Sequence, residues 1–380
     1  MRILYVCTDA DIGGAERLLA LLGRHSDPRD TTRLVVLLQR GTLSDELDAA
    51  FDEVEYLNVS PSSRDLLGMV RGLNAQISEF QPDVISSHLF HADLVTALAR
   101  TRVPRTTTVH THGFGPADHP LTKLIARAVG LLSYRFAAVV PSSDSAEMGA
   151  FVKRLRMRNV QTPILNGAEI PDAANFDPTS RSFLSMARNH PVKGHAVLFG
   201  AFKDIADEQP EWRLRAFGPG VTPDDPDMLA AIASAGADSL LAEGRITLEG
   251  PTAHPEAALA ESSALVISSL YGETSPLIGA EAAGSGVPVI TSDIGNCRQF
   301  VDDARFAVPA GSREALAAAM RSYAQLGDAA RIALSKQARA RAEATYRPSR
   351  VAAAYRELFA RLARPPRDAA EAGGRGASRG

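Results

Sequence analysis

"RILYVCTDADIGGAERLLALLGRH" (residues 2–25) shows the pattern on which the whole chain is built. Residues 2–8 are a short apolar run of the kind a sheet buries. Gly13 and Gly14 then open a stretch, 13–25, whose apolar residues recur at helical spacing. The alternation continues. "RLVVLL" (33–38), "DVISSH" (83–88), "RTTTVHTH" (105–112) and "FAAVVPS" (136–142) read as strands, with helical patterns around 63–80, 92–100, 120–135 and 143–156. Strands that are apolar on both faces and alternate with helices indicate a parallel sheet covered on both sides, a doubly wound α/β domain. "NGAEIPDAANFDPTS" (166–180), with three acidic residues, two prolines and little periodicity, reads as a linker. The pattern then restarts in "SFLSMA" (182–187), "WRLRAFG" (212–218), "RITLEG" (245–250), "ALVISS" (264–269) and "VPVITS" (287–292). Two domains are also what 380 residues suggest, since one core rarely serves so long a chain. Residues 345–364 form a last helix, and the tail 365–380 has too little apolar content to pack and is expected to be disordered.

The gross composition narrows the function. With 45% apolar and 22% charged residues and a net charge of −3, the chain is ordinary for a soluble globular protein and offers no reason to expect nucleic acid. The two cysteines, Cys7 and Cys297, lie far apart beside apolar runs and read as buried thiols of a reducing compartment, not as a disulfide or a metal site. No run approaches the ~18 apolar residues a membrane span needs, and the first apolar run is too short for a signal peptide. The expectation is a cytoplasmic protein.

Doubly wound sheets bind ligands at the carboxyl ends of their strands. Three post-strand segments carry chemistry. Gly13-Gly14 opens a helix in the manner that brings backbone N–H groups to a phosphate, although a tight turn gives the same pattern and no dinucleotide fingerprint follows. Arg188 and Lys193, in "MARNHPVKGH", pair a forked donor with a point charge, as suits a diphosphate; the alternative is two solvated cations. His190 and His195 flank them without metal-like spacing. In "YGETSPLIGAEAAGSGVPVI" (271–290), Glu273 precedes a helix start and Glu281 lies inside the helix. Ser275 suits the N-cap there and Pro276 the first helical position. The helix end, with unpaired N–H groups and the positive pole of its dipole, favours an anion. The carboxylates are then left for hydroxyl groups, against the plainer reading of a loop charge and a surface helix residue.

The ordered set "GGAERLL", "ISSHLFHADLVTALAR", "TVHTHG", "VVPSSD", "ILNGAEIP", "MARNHPVKGH", "RAFGPG", "ITLEG" and "ETSPLIGAEAAGSGVPVITSDIGNCRQFV" resembles the retaining, nucleotide-sugar-dependent glycosyltransferases of family 4, with their E-x7-E element. The resemblance runs over roughly residues 1–360. It implies the GT-B architecture, two Rossmann-like domains facing across a cleft. Residues 1–170 form the acceptor domain, 171–345 the nucleotide-sugar domain, and 346–364 a helix returning to the first. It implies a catalytic set of Glu273, His110, Arg188 and Lys193. Glu273 holds donor-sugar hydroxyls and His110, preferred over His112, contacts the sugar; Arg188 and Lys193 neutralise the leaving diphosphate. Donor binding falls to Gly14, Arg188, Lys193, Glu281 on the ribose, and backbone groups of Thr274, Ser275 and Leu277. No metal or other cofactor is required. The donor is expected to be a UDP-sugar and the acceptor a hydroxyl of a glycan, lipid-linked or small molecule, in polysaccharide, lipopolysaccharide or other glycoconjugate synthesis. Thr274-Ser275 departs from the commoner Gly and large apolar residue at these positions. A non-catalytic nucleotide-sugar-binding protein or a sugar-nucleotide epimerase on the same architecture is the alternative. The basic run "FVKRLRMR" (151–158), joined by Lys123 and Arg127, reads either as a solvated helix end or as peripheral contact with anionic membrane at the inner face of the cell membrane.

Overall fold

A computed structural model describes residues 1–363 apart from 61, 62, 64, 116, 117 and 302. The tail expected to be disordered, 365–380, lies outside the described residues.

The first half is β1 (Arg2–Cys7), α1 (Gly14–Arg24), β2 (Thr31–Leu38), α2 (Ser44–Ala50), β3 (Glu53–Val59), α3 (Leu66–Phe80), β4 (Val84–His88), α4 (Phe90–Leu98), β5 (Arg105–Val109), α5 (Pro120–Leu132), β6 (Ala138–Pro141) and α6 (Ala146–Arg154). Its strands form one six-stranded parallel sheet in the order β3-β2-β1-β4-β5-β6. The second half is β7 (Ser182–Met186), α7 (His195–Ala206), β8 (Arg213–Phe217), α8 (Pro226–Ala235), α9 (Asp238–Ala242), β9 (Ile246–Leu248), α10 (Pro255–Ala260), β10 (Ala264–Ile267), α11 (Leu277–Ser285), β11 (Val289–Ser292), β12 (Ala307–Val308) and α12 (Arg313–Ala324). Its sheet has the order β12-β11-β10-β7-β8-β9. Counted within its own half, that is the same winding as the first. Each sheet therefore reverses its order once, between β1 and β4 and between β7 and β10. Such a reversal opens a crevice at the carboxyl ends of the flanking strands.

The local reasons are visible in the sequence. β4 and β5 are buried along their whole length, as the covered centre of a parallel sheet requires. Side chains at the helix starts accept from backbone N–H groups that lack helical partners. Asp65 accepts from Gly68, Ser145 from Met148, Asp225 from Asp227 and Met228, and Ser312 from Ala315. β3 escapes the sequence reading because "EVEYLNV" alternates exposed and half-buried positions at the sheet edge. Its partner β2 is apolar and easily read. β12 has two residues, too few to show a period.

The chain crosses between the halves twice. The segment 155–181 makes the first crossing, and the second lies between α13 (Asp328–Thr345) and α14 (Pro348–Ala363). α13 packs on α11, and Tyr346 is fully buried in the second core beside Phe300. α14 puts Val351, Tyr355, Leu358 and Phe359 into the first core with Tyr5 and Leu22. The two crossings touch, since the Ala168 N–H donates to the Tyr346 carbonyl at 3.0 Å.

Tyr355 is 1% exposed, and its hydroxyl lies 3.2 Å from Thr108 Oγ1 on β5. Tyr355→Ala is expected to cost the first domain about 3–5 kcal/mol, as aromatic truncations in cores do. Urea unfolding followed by probes in each domain checks this, and the second domain's transition should move less.

Candidate donor site between the two sheet crevices

The second crevice is shaped by the loop after β7. There His190 Nδ1 accepts from the Val192 N–H at 3.2 Å, turning residues Pro191–Lys193 into a 3-10 turn. His195 Nε2 lies 3.2 Å from the Arg188 carbonyl. The two histidines flanking the cations thus brace the loop. Gly194 follows with φ +66, and a Cβ there would stand 2.3 Å from the Ser268 carbonyl oxygen, so this position admits glycine alone without rearrangement. Ser268 Oγ in turn donates to the Lys193 carbonyl at 2.8 Å.

That geometry carries the Lys193 ammonium onto Glu273, after β10, with which it forms a hydrogen-bonded ion pair. Ser269 Oγ donates to the same carboxylate oxygen at 2.7 Å. Burial alone would push the Glu273 carboxyl up. The Lys193 charge and hydrogen bond, the Ser269 hydrogen bond and nearby His112 outweigh it and hold the group below the usual range. Glu273 is therefore ionised at neutral pH. Arg188 is exposed on the same loop, and its guanidinium makes no hydrogen bond to a described residue. It is close enough to Glu16 of α1 to favour that residue's charged form.

α11 begins at Leu277, with Pro276 in extended conformation (φ −63, ψ 127) at the N-cap position. This corrects the expectation of Ser275 at the cap and Pro276 inside the first turn. Proline needs no donor at either place, and the Ser275 hydroxyl is buried without a described partner instead of capping the helix. The carbonyls of this segment are committed: Asn296 N–H donates to Thr274 at 2.6 Å, and Asn166 Nδ2 donates to Ser275 at 3.0 Å. The backbone N–H groups of Thr274, Ser275 and Leu277 have no described acceptor. The Thr274 side chain is committed across the cleft, donating to the His110 carbonyl at 3.2 Å. Gly295 closes this region, because a Cβ there would lie 1.9 Å from the Glu273 carbonyl oxygen.

Glu281 does not share the pocket of Glu273. It faces the first domain, 3.7 Å from Arg17 of α1, and burial pushes its carboxyl up against that pairing. Gly14 begins α1, and a Cβ there would meet nothing within 4 Å, so packing does not demand glycine at this position. His110 and His112 separate. The His110 ring turns inward, its Nε2 3.0 Å from His88 Nδ1, while His112 is the histidine that acts on the Glu273 carboxylate. Further residues not singled out from sequence join them. Ser269 and Asn296 carry no pattern of their own. Glu16 did carry a signal, a charge placed among the apolar positions of the α1 stripe. It is 5% exposed, and burial first and Asp9 second push its carboxyl up to about 7. The Asp9 and Glu16 carboxyls lie close enough to act on each other. Among the described residues, no group of three or more His, Cys, Asp or Glu side chains is arranged to hold a metal ion.

The Glu16 shift fixes a sign. The folded state keeps a proton up to pH about 7 that the unfolded chain releases near 4.5, so stability falls as pH rises through that window. Glu16→Gln is expected to melt at a higher temperature than wild type at pH 8, with the difference vanishing near pH 4. Melting curves at the two pH values check it.

The family of glycosyl transferases group 1 matches residues 180–325, and the glycosyl transferase 4-like domain matches residues 13–167. The chain is similar to a D-inositol 3-phosphate glycosyltransferase of a Nocardioides species, 25% identical over 260 residues that are 59% of this chain and 55% of that one. It thus spans about half the length of this curated relative. Among solved structures, Anabaena HepE in complex with UDP superposes with a TM-score of 0.76 at 20% identity, covering 95% of this chain and all of that one. Sucrose-phosphate synthase from Thermosynechococcus elongatus gives 0.76 at 16% identity, covering 95% and 99%. Each half of the chain thus matches a glycosyl transferase domain, group 1 in the second half and 4-like in the first, and the two parallel sheets wound alike give the GT-B architecture.

Proposed function

We propose that the protein transfers a sugar from a nucleoside diphosphate, UDP by preference, to an acceptor hydroxyl with retention of anomeric configuration, in the synthesis of a polysaccharide, lipopolysaccharide or other glycoconjugate. The observation that carries this reading is the convergence of Lys193, Glu273 and the open start of α11 at the second crevice, with Arg188 on the same loop. Charge builds on the departing diphosphate as the glycosidic bond breaks. Arg188, Lys193 and the unpaired N–H groups before α11 are preorganised to meet it, and such electrostatics usually supplies the largest catalytic contribution. In this reading the cations do the work that a divalent ion does elsewhere. Glu273, kept ionised by Lys193, accepts hydrogen bonds from hydroxyls of the transferred sugar. Glu281 accepts from the ribose, exchanging its distant Arg17 partner for a direct donor. Gly14 and the turn carrying His110 and His112 face the sugar from the first domain, which takes the acceptor. UDP in the complexes of HepE supports the base.

Lys193→Ala is expected to lower kcat by about 10²–10³. A loss of only a few-fold sinks the diphosphate assignment. Product NMR showing an inverted anomeric centre removes the retaining mechanism. Nucleotide release that ignores the acceptor favours a binding protein or an epimerase instead. Turnover abolished by EDTA and restored by Mg²⁺ overturns the metal-free reading.

We further propose that the acceptor face lies against anionic lipid. α5 and the turn that follows it leave Leu121, Leu124, Leu131 and Tyr134 exposed, the last two carrying 64% and 59% of their full accessibility. Lys153, Arg154, Arg156 and Arg158 are exposed beside them, since the Arg158 N–H donates to Ser133 Oγ at the end of α5 at 2.9 Å. Apolar side chains that enter the headgroup region, ringed by cations each worth about 1 kcal/mol near an anionic surface, suit a membrane. No helix among the described residues is long and apolar enough to cross one. Sedimentation with phosphatidylglycerol vesicles at low salt should carry the protein down, and Leu124→Glu with Leu131→Glu should leave most of it in solution. Failure of the wild type to sediment disproves the contact.

A further inference from the structure

The backbone that carries Glu273 rests on the bend after β11. There Gly295 takes φ +52, and its Cα passes so close to the Glu273 carbonyl oxygen that a Cβ would stand 1.9 Å from it. The next residue, Asn296, donates its backbone N–H to the Thr274 carbonyl at 2.6 Å. Two consecutive carbonyls of the donor loop are thus fixed by two consecutive residues of one bend.

The Asn296 side chain, 1% exposed, reaches the other way, into the loop after β6 in the first domain. Its Nδ2 donates to Asp144 Oδ1 at 2.8 Å, and its Oδ1 accepts from the Ser143 hydroxyl. Gln299, three residues on, adds a second donor to the same Asp144 oxygen at 2.7 Å. The orientation of the Asn296 amide is forced. A carboxylate only accepts, so the nitrogen must face Asp144; the turned amide would set its oxygen against the carboxylate. Ser143 Oγ accepts from the Ser145 N–H at 3.1 Å, which leaves its own proton for Asn296. Every polar atom at this junction therefore has one consistent role.

Glu273 is consequently anchored twice. Lys193 and Ser269 hold its carboxylate from within the second domain, whereas its backbone leans on a bend fastened to the first. We infer that Asn296 is a positioning residue which couples Ser143 and Asp144 of the first domain to the donor loop of the second. Its effect on donor binding rests on the transferase reading; the mechanical link between the domains does not. Two side chains outside the donor crevice would then govern how well that crevice is formed.

The test begins without ligand. Hydrogen exchange of the whole chain, resolved to single amides by NMR, follows the Asn296 N–H, whose bond to Thr274 is the link itself. Ser143→Ala combined with Asp144→Ala should speed that exchange roughly tenfold, the scale of one hydrogen bond, while amides of β10 and β11 keep their rates. Asp144→Asn alone, whose side-chain oxygen still accepts, should stay close to wild type. An unchanged Asn296 rate overturns the inference, and so does an equal rise throughout β10 and β11, which is general loosening. Calorimetry with UDP then reads the consequence. Asn296→Ala and the Ser143/Asp144 double variant should each weaken UDP binding several-fold, and all three changes together should be no worse than either. Losses that add instead mean separate effects and overturn the coupling. If the wild type fails to bind UDP, the donor assignment falls, and the exchange measurement still decides the link.

Discussion

A carboxylate buried under the cleft needs a counter-charge, and the structure is arranged so that Glu273 has Lys193. An isolated ionised carboxylate at that depth would take up a proton or force the chain apart. The pair is possible because a left-handed Gly194 presses its backbone onto Ser268, and because Gly295 lets the next loop pass under the Glu273 carbonyl. His190 and His195 hold the bend from which Lys193 reaches. One electrostatic requirement thus accounts for two glycines, two histidines and a serine in three separate segments.

The opposite side of the cleft follows a different logic. There the acidic groups are not matched with cations. Asp9 and Glu16 share their surroundings with each other, and Arg188 reaches Glu16 only at long range. Burial pushes the Glu16 carboxyl up, so this wall holds its negative charge less readily than Glu273 does on the facing wall.

Much of this was legible in the sequence because it depends on periodicity and on strand ends. Strands β1, β2, β4 and β7 declare themselves as apolar runs, and the loops after them contain Gly14, Arg188 and Lys193. The order of the strands was not legible, and neither was the edge strand β3, whose glutamates hide its period. Pairings distant in sequence were equally hidden. Glu273 and Glu281, eight positions apart, suggest a joint role, yet one is held by Lys193 and the other looks across to Arg17. The bridge from Ser143 through Asn296 to Thr274 has no sequence signature, because it exists only once the two domains face each other. Ser275 shows the limit of local rules: a good capping residue sits one position too early and goes unused.

The contact between the two chain crossings has a mechanical meaning. Ala168 and Tyr346 are joined by a hydrogen bond, so the outgoing and returning strands behave as one strap. A body tethered along a single line keeps one soft degree of freedom, rotation about that line, and loses sliding and twisting. Groups close to the strap, such as Asn166 on Ser275, act as a fulcrum and barely shift. Groups farther from that line move more for the same change of angle.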